Sequence, residues 1–125
     1  LYNDFENYIN HRNNTSTTRK EDLTHRFYTL MMDNYREHKE VIFYADKLHV
    51  SSKYLSEVVK ETSGKSPKDW IIDYSLLEIK ELLKNSSLNI QEITIRTKFL
   101  NQSALGRFFK RHTNMSPSEY RESTY

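Results

Sequence analysis

Cysteine is absent from this sequence of 125 residues, and glycine and proline occur only twice each. Without cysteine the chain has no disulfide framework, no thiolate nucleophile and no cysteine-ligated zinc site. Tight turns, β-bulges and phosphate-binding loops depend on glycine and proline, so their scarcity argues against a sandwich, a barrel or a nucleotide-binding loop. No apolar run approaches the roughly 20 residues that cross a bilayer. The sequence therefore predicts an all-α, cytoplasmic protein with no membrane contact by this segment.

Hydrophobic residues nevertheless make up 36% of the chain, with 9 Tyr, 6 Phe and 1 Trp. This is enough for one domain of ordinary size or for two small cores, and it excludes a disordered tail. The net charge of +2 is small, but the charge is unevenly distributed, because the segment from Arg96 to His112 contains five basic residues and no acidic one. This local cluster indicates a surface suited to a polyanion.

A polar segment at residues 12–20, rich in Asn and Thr, has the composition of a linker. Before it, apolar residues at helical spacing predict the end of a helix from an upstream domain: Tyr2, Phe5, Tyr8 and Ile9. After it, an amphipathic pattern predicts a helix over about residues 21–38. Because the chain begins with Leu1 and not with Met, we interpret residues 1–20 as a linker or the end of a missing domain. Residues 21–125 are then the domain itself.

An internal repeat with a spacing of 50 residues is the most informative feature of the sequence. Four residues recur identically at this spacing: Leu55 as Leu105, Lys60 as Lys110, Ser66 as Ser116 and Pro67 as Pro117. In each copy an acidic residue follows the serine three positions later, Asp69 in the first copy and Glu119 in the second. A serine N-cap, a proline in the first helical position and an acid in the first turn are typical of a helix start. The sequence thus predicts one helical unit that has been duplicated.

Each copy has the pattern of two short helices with a tight turn between them, which is a helix-turn-helix unit. The first unit is predicted at about residues 41–64 and ends with Gly64 in a left-handed conformation. The second is predicted at about residues 89–113 and begins with Asn89 as N-cap. Between them, residues 67–84 are apolar on most of the circumference of a helix. This segment is predicted to form a long bridging helix that packs against both units.

The second helix of each unit presents polar side chains at equivalent positions. They are short or forked hydrogen-bonding groups followed by basic groups one or two turns later, which is the chemistry that reads base edges and holds phosphates in a major groove. The candidates for base reading are Ser52, Lys53, Ser56, Glu57, Gln102, Ser103 and Arg107. The candidates for phosphate contact are Lys60, Lys65, Lys98, Lys110 and Arg111. An exposed polar face is usually only solvated, but its repetition in two units favours DNA binding.

Two of these candidates have alternative roles. Arg107 is the best candidate for base reading, because arginine offers a bidentate contact to guanine, but a phosphate contact and an ion pair with Glu57 or Glu92 are alternatives. Glu57 suits a cytosine amino group. An ion pair of Glu57 with Lys53 or Lys60 on the same helix is at least as favourable.

The second helix-turn-helix unit carries a longer recognisable pattern, in residues 93–121, ITIRTKFLNQSALGRFFKRHTNMSPSEYR. Together with residues 45–64 and Ser66-Pro67, it is similar to a signature of I-A, G-F, S, F-x-R-x-F-K and G-x-x-P-x-x-Y-R. On this pattern, residues 41–122 resemble the DNA-binding domain of the AraC/XylS family of bacterial transcription regulators. The resemblance implies seven helices, with two helix-turn-helix units joined by a long helix, and sequence-specific binding of double-stranded DNA in successive major grooves. It also implies recognition helices that begin near Ser52 and Asn101, RNA polymerase as a partner, and an upstream sensor or dimerisation domain.

The chain departs from that signature at a few positions. Thr94 stands in place of the alanine, Lys98 and Asn114 in place of the two glycines, and Leu105 in place of the aromatic residue before Arg107. If the turn at Lys98 is left-handed, the lysine costs on the order of 1 kcal/mol there. Asn114 tolerates a left-handed conformation better. These departures bear on turn geometry and stability and leave the class unchanged.

Two other functions compete with DNA binding. The sequence has five histidines without metal-ligand spacing, no glycine-rich phosphate loop and no Ser, His and Asp set. These features argue against an enzyme, a cofactor and a metal. His49, predicted in a turn, and His112, predicted on a packed stripe, fit structural roles. The alternative function is a protein-interaction module without specific DNA readout, for which the Tyr-rich residues 1–35 are the predicted surface.

Overall fold

The computed structural model describes residues 18–124. Within them the chain forms seven α-helices and no strand, which confirms the predicted all-α class. The helices are α1 (Arg19–Asn34), α2 (Val41–Lys47), α3 (Ser52–Ser63), α4 (Pro67–Asn85), α5 (Ile90–Arg96), α6 (Gln102–Thr113) and α7 (Pro117–Glu122). None of these helices combines the length and the apolar character needed to cross a membrane. The helix end predicted at Tyr2 to Ile9 lies outside the described residues.

Helix α1 begins two residues before the predicted start at residue 21 and ends four residues before the predicted end at residue 38. It begins at Arg19 because Thr18 and Glu21 form a capping box, in which the Thr18 hydroxyl accepts from the Glu21 backbone N–H at 3.0 Å. Its last buried residue is Met31, and Tyr35 is its C-cap, with a backbone N–H that donates to the Met31 carbonyl oxygen at 2.9 Å.

The chain divides into two compact units, with the boundary between Asp73 and Tyr74, inside α4. In the N-terminal unit, helices α1 to α3 and the start of α4 surround one core. Its fully buried side chains include Phe27, Met31, Tyr44, Leu55, Val59 and Trp70. The Tyr44 hydroxyl donates to the carbonyl oxygen of His38 at 2.7 Å, and the Trp70 ring N–H donates to Ser63 Oγ at 2.9 Å. The Tyr44 hydroxyl and the Trp70 ring N–H therefore both have hydrogen-bond partners.

In the C-terminal unit, the rest of α4 packs with α5 and α6 around a second core, formed by Ile79, Leu83, Ile93, Leu105 and Phe109. Tyr120 of α7 covers this core, and its ring centroid lies 5.4 Å from that of Phe109 in an edge-to-face arrangement. The apolar residues of the bridging helix are thus divided between two cores. This is why the pattern over residues 67–84 runs around most of its circumference.

Two basic side chains of the C-terminal unit, one on α4 and one on α7, each donate a hydrogen bond to a carbonyl oxygen near the end of the other helix. Arg121 Nε donates to the carbonyl oxygen of Leu83 at 2.8 Å, near the end of α4. Lys84 Nζ donates to the carbonyl oxygen of Ser123 at 2.6 Å, just beyond the end of α7. The last carbonyls of a helix have no partner within the helix, and a cation there also favours the helix dipole. Arg121, the last residue of the sequence signature, therefore has a structural role in this chain.

Candidate nucleic-acid interface

The turns of the two helix-turn-helix units share a left-handed residue and a closing hydrogen bond. His49 in the first turn and Lys98 in the second are left-handed, with φ of 59° and 64°. The same backbone hydrogen bond closes both turns, from Val50 N to the Ala45 carbonyl oxygen at 3.0 Å and from Phe99 N to the Thr94 carbonyl oxygen at 3.1 Å. The internal repeat therefore extends from the sequence to the backbone.

The second turn is one residue longer than the first. The left-handed residues are 49 positions apart, whereas the N-caps of the following helices, Ser51 and Asn101, are 50 positions apart. The extra residue is Leu100, whose side chain is 91% exposed. Because the extra residue lies outside the core, the second unit accommodates it without repacking.

Helices α3 and α6 begin and end in the same way. The Ser51 hydroxyl accepts from Tyr54 N at 3.0 Å, and Asn101 Oδ1 accepts from Ala104 N at 2.8 Å. Each helix ends at a left-handed residue, Gly64 with φ of 87° and Asn114 with φ of 62°. Side-chain N-caps and left-handed C-caps fix the length of a helix. Both helices have 12 residues, so each presents the same number of turns to a partner.

The buried face of each helix fixes which residues face solvent. Leu55, Val58 and Val59 of α3, and Leu105 and Phe109 of α6, are buried. The predicted site residues lie away from this face. Those with exposed side chains are Lys53, Glu57, Lys60, Lys98, Gln102, Ser103, Arg107, Lys110 and Arg111, and those with half-buried side chains are Ser52, Ser56 and Lys65.

Within the described part of each unit, Glu57 forms no ion pair with Lys53 or Lys60, and Arg107 forms none with Glu92. Glu92 instead completes a capping box, because its Oε1 accepts from Asn89 N at 2.9 Å. The guanidinium of Arg107 and the carboxylate of Glu57 therefore remain available to a ligand of α6 or α3 in this conformation.

Helix α1 packs against α3, and sequence reasoning missed the polar contacts between them. Lys20 Nζ lies 3.1 Å from Glu61 Oε2, and the hydroxyls of Thr24 and Thr62 share a hydrogen bond. The hydrogen bond with Glu61 raises the pKa of Lys20, and the negative charges of Glu61 and Glu57 raise it further. No local pattern identifies these contacts, because they join residues about 40 positions apart.

Lys65 differs from the other phosphate candidates in having partners within its own unit. Its Nζ lies 3.1 Å from Asp73 Oδ2 and 4.7 Å from the centre of the Trp70 ring. An ion pair and a cation–π contact both hold a lysine against the protein surface. This placement favours a structural role, and the phosphate contact stays a prediction.

His112 does not lie on a packed stripe, so that prediction is wrong. Its side chain is exposed, and its ring centroid lies 4.9 Å from that of the half-buried Phe108. The buried line of α6 follows Leu105 and Phe109 only, and the core has ended by the last turn of the helix, where His112 lies.

Gln91, a residue that sequence reasoning did not single out, contacts a predicted site residue. Gln102 Nε2 donates to Gln91 Oε1 at 2.9 Å, which joins the first residue of α6 to the second residue of α5. The repeat gave no signal for this pair, because Ile42 occupies the position of Gln91 in the first unit. Only the fold brings the two amides together.

A family model described as a helix-turn-helix domain matches residues 44–123 of the chain. The chain is also 31% identical over 78 residues to the Msm operon regulatory protein of Streptococcus mutans, in an alignment that covers 62% of this chain and 28% of that protein. The alignments with the first three curated relatives cover between 28% and 39% of those proteins.

Two solved structures share this fold. The C-terminal domain of AraT, a response regulator from Geobacillus stearothermophilus, is similar with a TM-score of 0.72 and 25% identity over 86% of this chain and 93% of that domain. The DNA-binding domain of AdpA, a global transcriptional factor solved in complex with a target DNA, is similar with a TM-score of 0.66 and 23% identity over 78% of this chain and 88% of that domain.

Proposed function

The chain belongs to the AraC/XylS type of helix-turn-helix transcription regulators, and we propose that it binds double-stranded DNA sequence-specifically through α3 and α6, one helix in each of two successive major grooves. The observation that carries this proposal is the duplicated turn, with its left-handed residue, its closing hydrogen bond and a capped helix of equal length in both units. Two copies of one scaffold that expose polar and basic faces fit a ligand that itself repeats along its length, as DNA does.

Each of the two helix faces has residues that suit bases and residues that suit phosphates. The residues near the start of each helix are hydrogen-bonding groups that suit base edges: Ser52, Lys53, Ser56 and Glu57 in α3, and Gln102, Ser103 and Arg107 in α6. The lysines and arginine further along or in the turn suit phosphates: Lys60, Lys98, Lys110 and Arg111. Because the two base-reading sets differ, the DNA site is asymmetric.

The chain is the DNA-binding part of a longer regulator in this proposal. The coverage of less than half of the first three curated relatives supports a further sensor or dimerisation domain. A regulator of this class works in the cytoplasm beside RNA polymerase, which is the second partner that we propose. We assign the chain no catalytic role.

The test begins with selection of bound sites from a random duplex library by the 125-residue chain. Affinity for the selected site and for an unrelated duplex is then measured as a function of salt concentration. We expect a preference for the selected site and a fall in log affinity that is linear in log salt, with a slope of about 0.9 for each phosphate contacted. A charge-reversed variant with Lys110→Glu and Arg111→Glu should lose binding, whereas the control Lys68→Glu, an exposed lysine of α4, should retain it.

Two results contradict the proposal. If no site is enriched and binding to all duplexes is equally weak, the chain is a protein-interaction module, which is the alternative function. A palindromic footprint from a single chain would overturn the assignment of different base-reading sets to α3 and α6.

A further inference from the structure

The side chains of Gln91 and Gln102 form a hydrogen-bonded pair at the start of α6. Both side chains are exposed, and the Nε2 to Oε1 distance is 2.9 Å. Gln102 directly follows the N-cap Asn101, so it projects from the end of α6 whose first residues contact base edges in helix-turn-helix proteins. The pair therefore lies where a base would be read.

A side-chain amide has two N–H donors and one carbonyl oxygen. The hydrogen bond to Gln91 uses one N–H of Gln102 and leaves the other N–H and the oxygen free. Adenine presents one donor and one acceptor in the major groove, N6–H and N7, and glutamine matches them with its oxygen and one N–H. The groups that remain free on Gln102 are thus the groups that adenine requires.

We propose that Gln91 is a positioning residue that orients Gln102 to read an adenine. This inference rests on the proposed function, because it needs α6 in a major groove. A free glutamine rotates about three side-chain bonds and loses that freedom on binding. The hydrogen bond from α5 restrains Gln102 before DNA arrives and fixes which edge of its amide faces outward. Gln91 itself contacts no base.

The first helix-turn-helix unit, whose residues are all described, has no such pair. The equivalent of Gln91 is Ile42, 49 positions earlier, and the equivalent of Gln102 is Ser52, 50 positions earlier. The side chain of Ile42 is 60% exposed and has no hydrogen-bonding group. Restrained amide readout is therefore specific to the half of the DNA site that α6 contacts.

The experiment measures base preference at each position of the DNA site selected by the 125-residue chain. Gln102→Ala identifies the base pair that Gln102 reads, and we expect the preference for A·T there to fall by about 5- to 100-fold. Gln91→Met, which keeps the length of the side chain but removes the acceptor, should lower the preference at the same pair by about 2- to 10-fold. Gln91→Glu restores the acceptor, so it should retain the preference while its charge lowers affinity for all duplexes alike. The matched control Ile42→Met should leave the preference at that pair unchanged.

Several outcomes overturn the inference while the proposed function stands. These are a selected site without A·T at the pair identified by Gln102→Ala, no pair at which that variant loses preference, and a Gln91→Met variant that keeps full preference or loses it at a different pair. Equal loss of preference in Gln91→Met and Gln91→Glu also overturns it, because the acceptor would then be irrelevant. Failure of the intact chain to prefer any sequence overturns the proposed function and the inference together.

Discussion

His49 and Lys98 share a left-handed backbone conformation, with φ of 59° and 64°, although neither is a glycine. A left-handed conformation costs an L-residue roughly 1 to 2 kcal/mol, and histidine tolerates it better than lysine. Both turns keep the conformation because the backbone hydrogen bond that closes each turn requires it. The two turns therefore retain a common geometry at the expense of local strain.

Relief of that strain should stabilise the C-terminal unit. We expect Lys98→Gly to raise the free energy of unfolding by about 0.5 to 1 kcal/mol, because glycine adopts a positive φ without a steric penalty. Urea denaturation followed by circular dichroism measures the change. Lys98→Ala is the control, since it removes the same side-chain charge but keeps the Cβ, and it should give no increase. Equal stabilisation by both variants would show that charge, and not backbone strain, is responsible.

The two glycines should respond to alanine with opposite signs. A Cβ built on Gly64 or on Gly106 meets nothing within 4 Å, so neither substitution causes a clash. Gly64 has a positive φ of 87°, and Gly64→Ala should destabilise the fold by about 1 kcal/mol. Gly106 lies inside α6, and Gly106→Ala should stabilise it by about 1 kcal/mol, which is the difference in helix propensity. Thermal melts of both variants measure the change in melting temperature, and a change of the same sign in both would refute this explanation.

Local features of the fold were predictable from the sequence. The Ser-Pro helix starts are present, with Asp69 N donating to Ser66 Oγ at 3.2 Å and Glu119 N donating to Ser116 Oγ at 3.1 Å. Gly64 ends α3 as predicted. Caps and helix periodicity involve residues within four positions of each other, so the sequence displays them directly.

Contacts between distant residues were not predictable. The Gln91–Gln102 pair joins two helices across a turn, and the contacts of Lys20 and Thr24 with α3 depend on how α1 packs. His112 was misplaced because periodicity shows which face of a helix is apolar but not where the core beneath it ends. The candidate site is thus predicted as a face of each helix, whereas the partners of individual side chains come only from the structure.

Acid should weaken the start of α7 through Glu119. The hydrogen bond from the backbone N–H of Ser116, at 2.8 Å, is the main cause that lowers the pKa of this carboxyl below its ordinary value of 4.5. A depressed pKa means that the folded state favours the carboxylate, so the contribution to stability is present above pH 4.5 and is lost as the pH falls through the folded-state pKa. Urea denaturation over this range should show a smaller acid loss in Glu119→Gln than in the unchanged chain. Glu122→Gln, an exposed control on the same helix, should keep the full loss, and an identical profile for both variants would contradict the assignment.

Arg107 and Lys110 lie one turn apart on the exposed face of α6 and should affect DNA binding in different ways. In the proposed function Arg107 reads a base, so Arg107→Ala should cost about 1 to 3 kcal/mol for the selected site and relax the preference at one base pair. We propose that Lys110 contacts a phosphate, so Lys110→Ala should weaken binding to every duplex alike and lower the salt slope by about 1. Lys68, an exposed lysine of α4, supplies the control, and Lys68→Met should leave the slope unchanged. Affinity measured at several salt concentrations on matched and altered duplexes separates these effects. If Arg107→Ala lowers the slope and leaves the sequence preference intact, the guanidinium binds a phosphate, and base reading by α6 would depend on Gln102 and Ser103 alone.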